Sequence, residues 1–322
     1  MKDIKDVVAD QLEYTIAATE FEDLGKRYKG KVRDTYAQDD RLILVTTDRI
    51  SAFDHVLKQT IPFKGQVLNQ LAAFFFEQTA DLVPNHVLSV PDPNVLVAVK
   101  CETVPVEFVI RGYLAGHAWR TYSAGGRTLC GEPMPEGLRQ NSKFDRPLLT
   151  PTTKASEGHD QDVSRREILE SGILDAETFD HLEGLARKLF QRGTEIAAEH
   201  GLILVDTKYE FGKTPDGRFV VIDEVHTPDS SRYFYADTYQ DLLQSDKPQR
   251  QLSKEFVREW LMEHDFMGKD GQTLPDLPDS FRVEVALRYI ELFETVSGKT
   301  FVPDTARDPI ERIEGHLAAL TV

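Results

Sequence analysis

Between residues 202 and 212, an apolar run leads into charged residues at every second position. Asp206, Lys208 and Glu210 lie there at positions i, i+2 and i+4, among residues of high β propensity. Side chains at this spacing share one face of a strand. The pattern therefore predicts a strand with three charged groups on the same face.

A second apolar run over residues 219–223 follows a short connection, 214–217, which has proline and glycine where a type I turn favours them. If the first and last residues of this turn pair, Lys208 faces Asp223, and Glu210 lies diagonal to Asp223 with the backbones roughly 7–8 Å apart. Two carboxylates so placed can share a metal ion. A solvated sheet face with cross-strand salt bridges explains the same pattern, and the hairpin alone leaves both interpretations open.

The rest of the chain predicts an α+β fold, because strands come first, a mixed region follows and helices end the chain. The stretch 125–154 is rich in glycine and proline and is expected to form loops. Neither a Rossmann fingerprint nor a P-loop is present. The predicted strands are 31–36, 41–47, 95–100 and 104–111, and the predicted helices are 1–20, 66–80, 176–200, 251–266, 280–297 and 307–320.

Composition narrows the class of protein. The 322 residues, 40% hydrophobic and 29% charged, suffice for one large globular domain or two lobes. A formal net charge of −16 argues against broad binding of nucleic acid or anionic membranes. No apolar run approaches the roughly 20 residues of a membrane span, and two cysteines give no disulfide framework. We expect a cytoplasmic protein, a monomer or small homo-oligomer, with small-molecule partners.

A short basic segment stands out against the acidic background. Lys29, Gly30, Lys31 and Arg33 lie within five positions. A glycine-flanked basic turn before a strand suits a loop that covers phosphate groups. A solvated charged strand is the alternative.

A polar segment, 47–54, follows the next apolar strand. Its hydroxyl, guanidinium and carboxylate groups suit the binding of a polar ligand, with Asp48 and Ser51 as candidates. In the alternative interpretation, the segment is a capped turn in which Arg49 pairs with Asp54.

Two further segments carry possible binding groups. Arg111 ends an apolar strand and can present its guanidinium to a carboxylate or phosphate, unless it pairs with Glu107. The polar stretch that follows offers Lys154 for a nucleotide phosphate, and His159 and Asp160 for a substrate amine.

A third segment follows the hairpin directly. Asp229, Ser231 and Arg232 suit an anionic group, although Asp229 can equally begin a helix. The chain has no catalytic serine or cysteine signature.

Five segments, taken in order, resemble the SAICAR synthetase (phosphoribosylaminoimidazole-succinocarboxamide synthase) family. The resemblance covers about residues 25–235. The segments are Gly30–Tyr36, Thr47–Asp54, Val104–Arg111, Asp206–Gly212 and Val221–Arg232.

The resemblance implies a two-lobed, ATP-grasp-like fold with additional C-terminal helices. Residues 1–99 would form a β-rich lobe that covers ATP, and residues 100–322 a larger lobe that includes those helices. The implied enzyme is an ATP- and Mg²⁺-dependent ligase that joins L-aspartate to the carboxylate of carboxyaminoimidazole ribonucleotide through an acyl phosphate. The alternatives are an ATP-grasp or kinase-like enzyme acting on another carboxylate, and a nucleotide-binding scaffold without catalysis.

The resemblance also implies residue roles. Glu210 and Asp223 would hold Mg²⁺, and Lys208 would neutralise the reacting carboxylate or phosphoryl group, with Asp206 supporting Lys208. Groups for the ATP phosphates would be Lys29, Gly30, Lys31, Arg33 and Lys154. Groups for the substrates would be Asp48, Ser51, Arg111, His117, Asp160, Asp229, Ser231 and Arg232.

Within that set, Ser51 and Arg232 would hold the ribonucleotide phosphate, Arg111 a carboxylate and Asp160 the imidazole amine. His117 departs from the family pattern, which has serine there. An imidazole also donates hydrogen bonds, so the departure implies altered pH dependence on the aspartate side.

Overall fold

The computed structural model describes residues 2–154 and 161–319, so the predicted site residues His159 and Asp160 lie outside the described residues. The chain divides into two compact units. The first unit comprises Met1–Phe76, His86–Lys100 and Ser253–Val322, and the second comprises Glu77–Asn85 and Cys101–Leu252.

Helices occur in both units of the described chain, and none of them has both the length and the apolar content to cross a membrane. In chain order they are α1 (Ile4–Asp10), α2 (Lys64–Thr79), α3 (Gly116–Ser123), α4 (Arg165–Glu170), α5 (Ala176–Glu199), α6 (Ala236–Gln244), α7 (Glu255–Glu263), α8 (Asp279–Ser297) and α9 (Pro309–Ala318).

The strands come in groups between these helices and pair antiparallel, which confirms the predicted α+β class. They are β1 (Lys26–Lys29), β2 (Arg33–Ala37), β3 (Arg41–Thr46), β4 (Ser51–Ala52), β5 (His55–Val56), β6 (Val87–Asp92), β7 (Val95–Val99), β8 (Glu102–Thr103), β9 (Val106–Tyr113), β10 (Thr128–Leu129), β11 (Glu132–Pro133), β12 (Lys143–Leu149), β13 (Thr152–Thr153), β14 (Gln161–Asp162), β15 (Leu202–Lys213), β16 (Phe219–Ile222), β17 (Ser231–Tyr235) and β18 (Gln251–Leu252).

The first unit is built on an antiparallel sheet in the order β1-β2-β3-β7-β6. One face of this sheet buries an apolar cluster that includes Tyr36, Val45 and Val97, and the C-terminal helix α9 adds Ile313 and Leu317 to it. Burial of such side chains is the main favourable term in folding. The terminal helix is therefore part of the core of this unit.

A buried ion-pair network also fixes α9 to the first unit. The fully buried carboxylate of Asp92, at the end of β6, accepts two hydrogen bonds from Arg312, at 2.9 and 3.1 Å, and lies 2.7 Å from Nδ1 of His316. The structure thus differs from the expectation that residues 253–322 join the larger lobe. The helical pattern showed which side of each helix is apolar, but it carried no information about which unit that side packs against.

The second unit is built on a nine-stranded sheet whose central path runs β14-β13-β9-β15-β17-β18. Strand β15 pairs with β9 on one side and β17 on the other, and its far end pairs with β8 and β16. Helix α5 contacts both β15 and β9 through its buried stripe. Strand β15 is therefore the part of the unit that holds the candidate site.

The predicted hairpin is present, but its predicted register is wrong by one residue. Glu210 pairs with Ile222 and Lys213 with Phe219, so Thr214 closes onto Arg218 and not onto Gly217. The turn keeps the hydrogen bond from Gly217 N–H to the carbonyl of Thr214. Gly217 then takes φ +88°, and this left-handed residue lengthens the loop by one position, as in hairpins with three-residue loops.

Three other predictions need correction. Residues 125–154 are not only loops, because β12 pairs with β9 across an irregularity that accommodates Pro147. The predicted helix 251–266 begins later, at Glu255, because its first residues form β18, which extends the central sheet. The first helix covers only Ile4–Asp10 of the predicted 1–20.

Candidate active site

Strands β9, β15 and β17 bring charged side chains to one face of the central sheet. Asp206 is paired directly with Arg111 of β9 and with Arg232 of β17. Directly paired residues project to the same face, and so do residues two apart along a strand. Lys208 and Glu210 therefore continue the row that Asp206 begins.

Lys208 lies at the centre of a cluster of carboxylates. Its ammonium group donates a hydrogen bond to Oε1 of Glu107 at 3.1 Å and another to Glu210, and it lies 3.8 Å from Oδ2 of Asp223. The Glu210 side chain is 5% exposed, whereas those of Lys208 and Asp223 are each 26% exposed. Lys208 and Asp223 are therefore the more accessible groups of the cluster, and Glu210 is the more buried one.

A second ammonium group completes this cluster. Lys154 donates to the other oxygen of Glu210 and is itself 43% exposed. Burial alone would raise the pKa of Glu210, but the ammonium groups of Lys208 and Lys154 hold that pKa well below its ordinary value. Burial alone would lower the pKa of Lys208, yet Glu210, Glu107 and Asp223 raise it well above its ordinary value. Burial would also lower the pKa of Lys154, but Glu210 raises it above its ordinary value, so both lysines are charged at neutral pH.

Asp223 reaches this cluster through an unusual backbone conformation. It follows the last residue of β16 and has φ +66°, in the left-handed region that non-glycine residues seldom adopt. Because Glu210 pairs with Ile222, a continued strand would turn Asp223 to the opposite face. The left-handed residue instead leaves the carboxylate within 3.8 Å of Lys208.

The donor set at this cluster fits a magnesium ion shared with a phosphate ligand. Glu210 and Asp223 offer carboxylate oxygens, which hard divalent cations prefer. No group of three or more histidine, cysteine, aspartate or glutamate side chains within residues 2–154 and 161–319 is arranged to hold a metal. Mg²⁺ is usually bound by one or two carboxylates together with substrate phosphates.

Beside this cluster, two arginines share one carboxylate. Nη1 of Arg232 donates to Oδ2 of Asp206 at 3.1 Å, and Nη1 of Arg111 lies 3.6 Å from the same oxygen. Nε of Arg111 donates to the hydroxyl of Thr150 at 2.8 Å. Asp206 therefore supports the two arginines and not, as expected, Lys208, because cross-strand pairing places it opposite both guanidinium groups.

The arginine pair places two positive charges side by side where little solvent reaches them. Both guanidinium side chains are only 10% exposed. Burial lowers the pKa of Arg111 from its ordinary value, Asp206 opposes that shift, and Arg232 adds to it. Gly116 (φ +53°) leaves the space that the Arg232 side chain fills, because a Cβ there would lie 2.6 Å from Nη1. The arrangement suits one anionic ligand group.

The neighbouring predicted residues occupy different positions. Ser231 is buried on the other face of the sheet, where its hydroxyl donates to the hydroxyl of Thr207 at 2.7 Å. Asp229 lies in the turn before β17, and its N–H donates to Thr227. His117 is near the start of α3, with Nε2 2.6 Å from Oδ2 of Asp162. This hydrogen bond is the largest cause of the lowered pKa of Asp162.

In the first unit, the buried side chain of Arg49 fixes the basic turn formed by residues 29–33. The guanidinium of Arg49 donates to the carbonyl oxygens of Gly30 at 2.9 Å, Lys31 at 3.2 Å and Ala17 at 2.7 Å. It also donates to the carboxylate of Asp34 at 2.8 Å. The alternative that paired Arg49 with Asp54 is wrong, because its side chain is buried against the turn.

The remaining predicted groups of the first unit divide into exposed and buried ones. Lys31 is exposed and lies 2.6 Å from Asp54. Lys29 is also exposed, while Gly30 and Arg33 are half-buried in the same turn. The candidates Asp48 and Ser51 are both buried.

Asp48 stabilises the fold around it. Its two oxygens accept the backbone N–H groups of Ile16 and Gly65, each at 2.8 Å, and the second of these contacts fixes the start of α2. Burial raises its pKa to about 6, although the two N–H groups oppose the shift.

Two residues have roles that the sequence did not predict, since Glu107 was named only as an alternative partner of Arg111 and Asp34 was not named at all. Glu107 contacts Lys208, and its i, i+4 spacing from Arg111 on a strand already placed it on the same face. Asp34 supports Arg49, and its position in the alternating strand 31–36 was the available signal.

Comparison with known proteins agrees with the predicted family. A sequence profile described as SAICAR synthetase matches residues 26–273. The phosphoribosylaminoimidazole-succinocarboxamide synthase of Cytophaga hutchinsonii is 56% identical over 300 residues, covering 92% of this chain and 96% of that protein.

Solved structures show the same similarity in three dimensions. SAICAR-synthase from Saccharomyces cerevisiae, complexed with SAICAR, has a TM-score of 0.77 and 30% identity, and the match covers 90% of this chain and 100% of that chain. A SAICAR synthetase (Type-2) in complex with ADP has a TM-score of 0.67 and 25% identity, covering 86% and 100%.

Proposed function

The chain belongs to the SAICAR synthetase family, and we propose that it joins L-aspartate to the carboxylate of carboxyaminoimidazole ribonucleotide in de novo purine biosynthesis, converting ATP to ADP and phosphate. The observation that carries the proposal is the position of Lys208 on β15, among the carboxylates of Glu107, Glu210 and Asp223. With Mg²⁺ on its carboxylates, such a cluster would neutralise and orient anionic groups, which is the main requirement of phosphoryl transfer.

The chemistry explains why ATP is needed. A carboxylate does not react directly with an amine, because the leaving group would be oxide. One carboxylate oxygen instead attacks the γ-phosphorus of ATP and releases ADP, which gives an acyl phosphate. The amine of aspartate then attacks the acyl carbon and loses a proton, and phosphate leaves with the former carboxylate oxygen.

Lys208 is the group that neutralises the reacting carboxylate or the transferred phosphoryl group in this proposal. Its ammonium is charged and partly exposed, and its carboxylate partners fix its position. Glu210 and Asp223 would hold Mg²⁺, which when bound supplies further neutralisation of phosphate charge. Lys154 would hold an ATP phosphate from its exposed position beside Glu210.

In the first unit, the basic turn would hold ATP phosphates through the N–H groups and cations of its members. Arg49 supports this role because it occupies the carbonyl oxygens of the turn. Those members are Lys29, Gly30, Lys31 and Arg33.

The ribonucleotide would be bound by the arginine pair of the second unit. Arg111 and Arg232 flank the single carboxylate of Asp206, and two guanidinium groups side by side suit a phosphate or carboxylate of the substrate. Ser51 would contribute to the phosphate, Asp160 would bind the imidazole amine, and His117 would act on the aspartate side.

The proposal extends to the fold of the larger lobe, the cellular compartment and the oligomeric state. We assign an ATP-grasp-like character to the larger lobe, and place the reaction in the cytoplasm with a monomer or small homo-oligomer. Asp48, Asp229 and Ser231 would support the substrate segments through their hydrogen bonds within the fold, and Asp48 and Ser231 are buried.

A coupled assay of ADP release tests the proposal. Purified protein receives ATP, Mg²⁺, L-aspartate and the ribonucleotide, and each component is omitted in turn. We expect sustained ADP release, over many turnovers, only in the complete mixture, together with SAICAR in equal amount. Sustained ADP release without aspartate, or with a different carboxylate substrate, would contradict the proposed function.

A further inference from the structure

The segment between β16 and β17 connects two parts of the proposed site. It begins at Asp223, the candidate Mg²⁺ ligand, and ends at Ser230, two residues before Arg232 of the arginine pair. Two of its non-glycine residues, Asp223 and His226, have left-handed backbones, with φ of +66° and +56°. Such conformations persist only where the surrounding structure enforces them, so the structure must supply an anchor.

His226 is held from three directions in the interior of the second unit. Its Nε2 lies 3.1 Å from the carbonyl oxygen of Leu189 in α5 and 3.3 Å from the hydroxyl of Tyr209 in β15. The hydroxyl of Tyr233 in β17 donates to the backbone carbonyl of His226 at 2.8 Å. The residue is fully buried. The segment is thereby tied to a helix and to two strands of the central sheet.

The hydrogen bonds define the state of the imidazole. The carbonyl oxygen of Leu189 can only accept, so Nε2 of His226 carries the hydrogen. Burial lowers the pKa of His226 to about 3. The ring is therefore neutral at physiological pH and serves as a fixed packing and hydrogen-bonding element.

Helix α5 carries a notch that fits this ring. Gly193 lies in the interior of the helix, where glycine is less favourable than alanine. A Cβ at Gly193 would lie 2.3, 2.4 and 2.8 Å from three atoms of the His226 ring, far inside contact distance. The ring can occupy its position only because residue 193 has no side chain.

We propose that His226, seated in the notch over Gly193, is a positioning residue that keeps the carboxylate of Asp223 beside Lys208 for metal binding. The inference rests on the proposed function only for the role of Asp223. The notch fixes His226, His226 fixes the short segment that precedes it, and the left-handed conformation of Asp223 follows.

A double-mutant cycle tests this coupling. Gly193→Ala forces the ring out of the notch, whereas His226→Ala removes the ring, so the two changes should not be additive. We expect each single change to weaken Mn²⁺ binding to the protein–ADP mixture about tenfold or more, as measured by electron paramagnetic resonance of free Mn²⁺. Adding Gly193→Ala to His226→Ala should weaken binding little further.

A matched control exists in the same helix. A Cβ at Gly184 would meet no atom of another part of the described chain within 4 Å, so Gly184→Ala should leave Mn²⁺ binding unchanged. In the ADP assay, Gly193→Ala should raise the half-saturating Mg²⁺ concentration by a similar factor, with a smaller change in the KM for the ribonucleotide.

Equal Mn²⁺ affinity in Gly193→Ala and the wild type would overturn the inference. So would an equal effect of Gly193→Ala with and without His226. If His226→Ala does not fold, the comparison of Gly193→Ala with Gly184→Ala decides alone. A wild type that binds Mn²⁺ with ADP but forms no product would contradict the proposed function and leave this coupling measurable.

Discussion

Replacing Asp206 by asparagine should destabilise the second unit strongly. The change keeps the size of the side chain but removes the negative charge that Arg111 and Arg232 share at 3.6 and 3.1 Å. The three side chains are only 10–13% exposed, so water screens them little. Two buried guanidinium groups would then face each other without the carboxylate between them.

The magnitude follows from this geometry. Breaking a buried ion pair by removing one partner typically costs about 3–5 kcal/mol, because the other charge stays buried. Coulomb's law gives about 4 kcal/mol for unit charges 4 Å apart at the effective dielectric constant of a protein surface. We therefore expect Asp206→Asn to lower the free energy of unfolding by about 4 kcal/mol.

Urea unfolding measures the effect, with a tryptophan reporting on each unit. Trp119 lies in the second unit and Trp260 in the first, so a Trp260→Phe background isolates the transition of interest. Asp180→Asn is the control, because it breaks an Arg–Asp pair whose members are about half exposed and should lower stability much less.

Phosphate should restore part of the lost stability. An anion that binds the folded protein stabilises it by about 2.7 kcal/mol at one hundred times its Kd. The gain should be larger in Asp206→Asn than in the wild type, because the variant lacks the negative charge between the two guanidinium groups. A variant as stable as the wild type, or one that phosphate does not stabilise, would refute the reasoning.

Four further predictions concern the proposed site and its supports. Asp223→Asn should reduce turnover without changing the circular dichroism spectrum. The loss should exceed the roughly 10–100-fold typical of residues that only hydrogen-bond a metal ligand. Near-normal turnover at saturating Mg²⁺ would contradict the metal assignment. Lys208→Ala should lower turnover more than nucleotide affinity. Lys213 is exposed on the same strand, and Lys213→Ala should change neither. Weaker ATP binding with normal turnover in Lys208→Ala would contradict the role proposed for Lys208. Arg49→Lys should raise the KM for ATP about tenfold with a smaller change in kcat, because the three donors of an ammonium group cannot serve three carbonyl oxygens and the carboxylate of Asp34 together. An unchanged KM would count against the support that Arg49 gives to the basic turn. Between pH 3.8 and about 6, folded Asp48 keeps a proton that the unfolded chain has lost, so this group makes the free energy of unfolding fall as pH rises. Urea unfolding across this range should show that Asp48→Asn removes this fall. A free energy of unfolding that falls more steeply in Asp48→Asn than in the wild type would contradict it.

Local patterns predicted the charged strand well. Alternation alone placed Lys208 and Glu210 on one face, and the turn residues indicated the hairpin. The register was wrong because it depends on one left-handed residue, Gly217. A register shift of one residue turns the side chain of Asp223 to the opposite face of the sheet. The left-handed backbone of Asp223 brings its carboxylate back to the cluster.

Non-local pairing accounts for most of what the sequence did not predict. The partners of Asp206 lie on two other strands that are distant in sequence. The anchor of Asp223 depends on Gly193 of a helix, and the packing of α9 depends on a buried Asp92. No periodicity within one segment specifies contacts of this kind.

The central claim is that the ribonucleotide carboxylate is activated by phosphorylation before aspartate attacks it. The most direct measurement uses ribonucleotide labelled with ¹⁸O in that carboxylate, and mass spectrometry of the phosphate released after one turnover. The account predicts one ¹⁸O atom in each phosphate and one in the new amide. Phosphate without ¹⁸O, formed together with product, would contradict it.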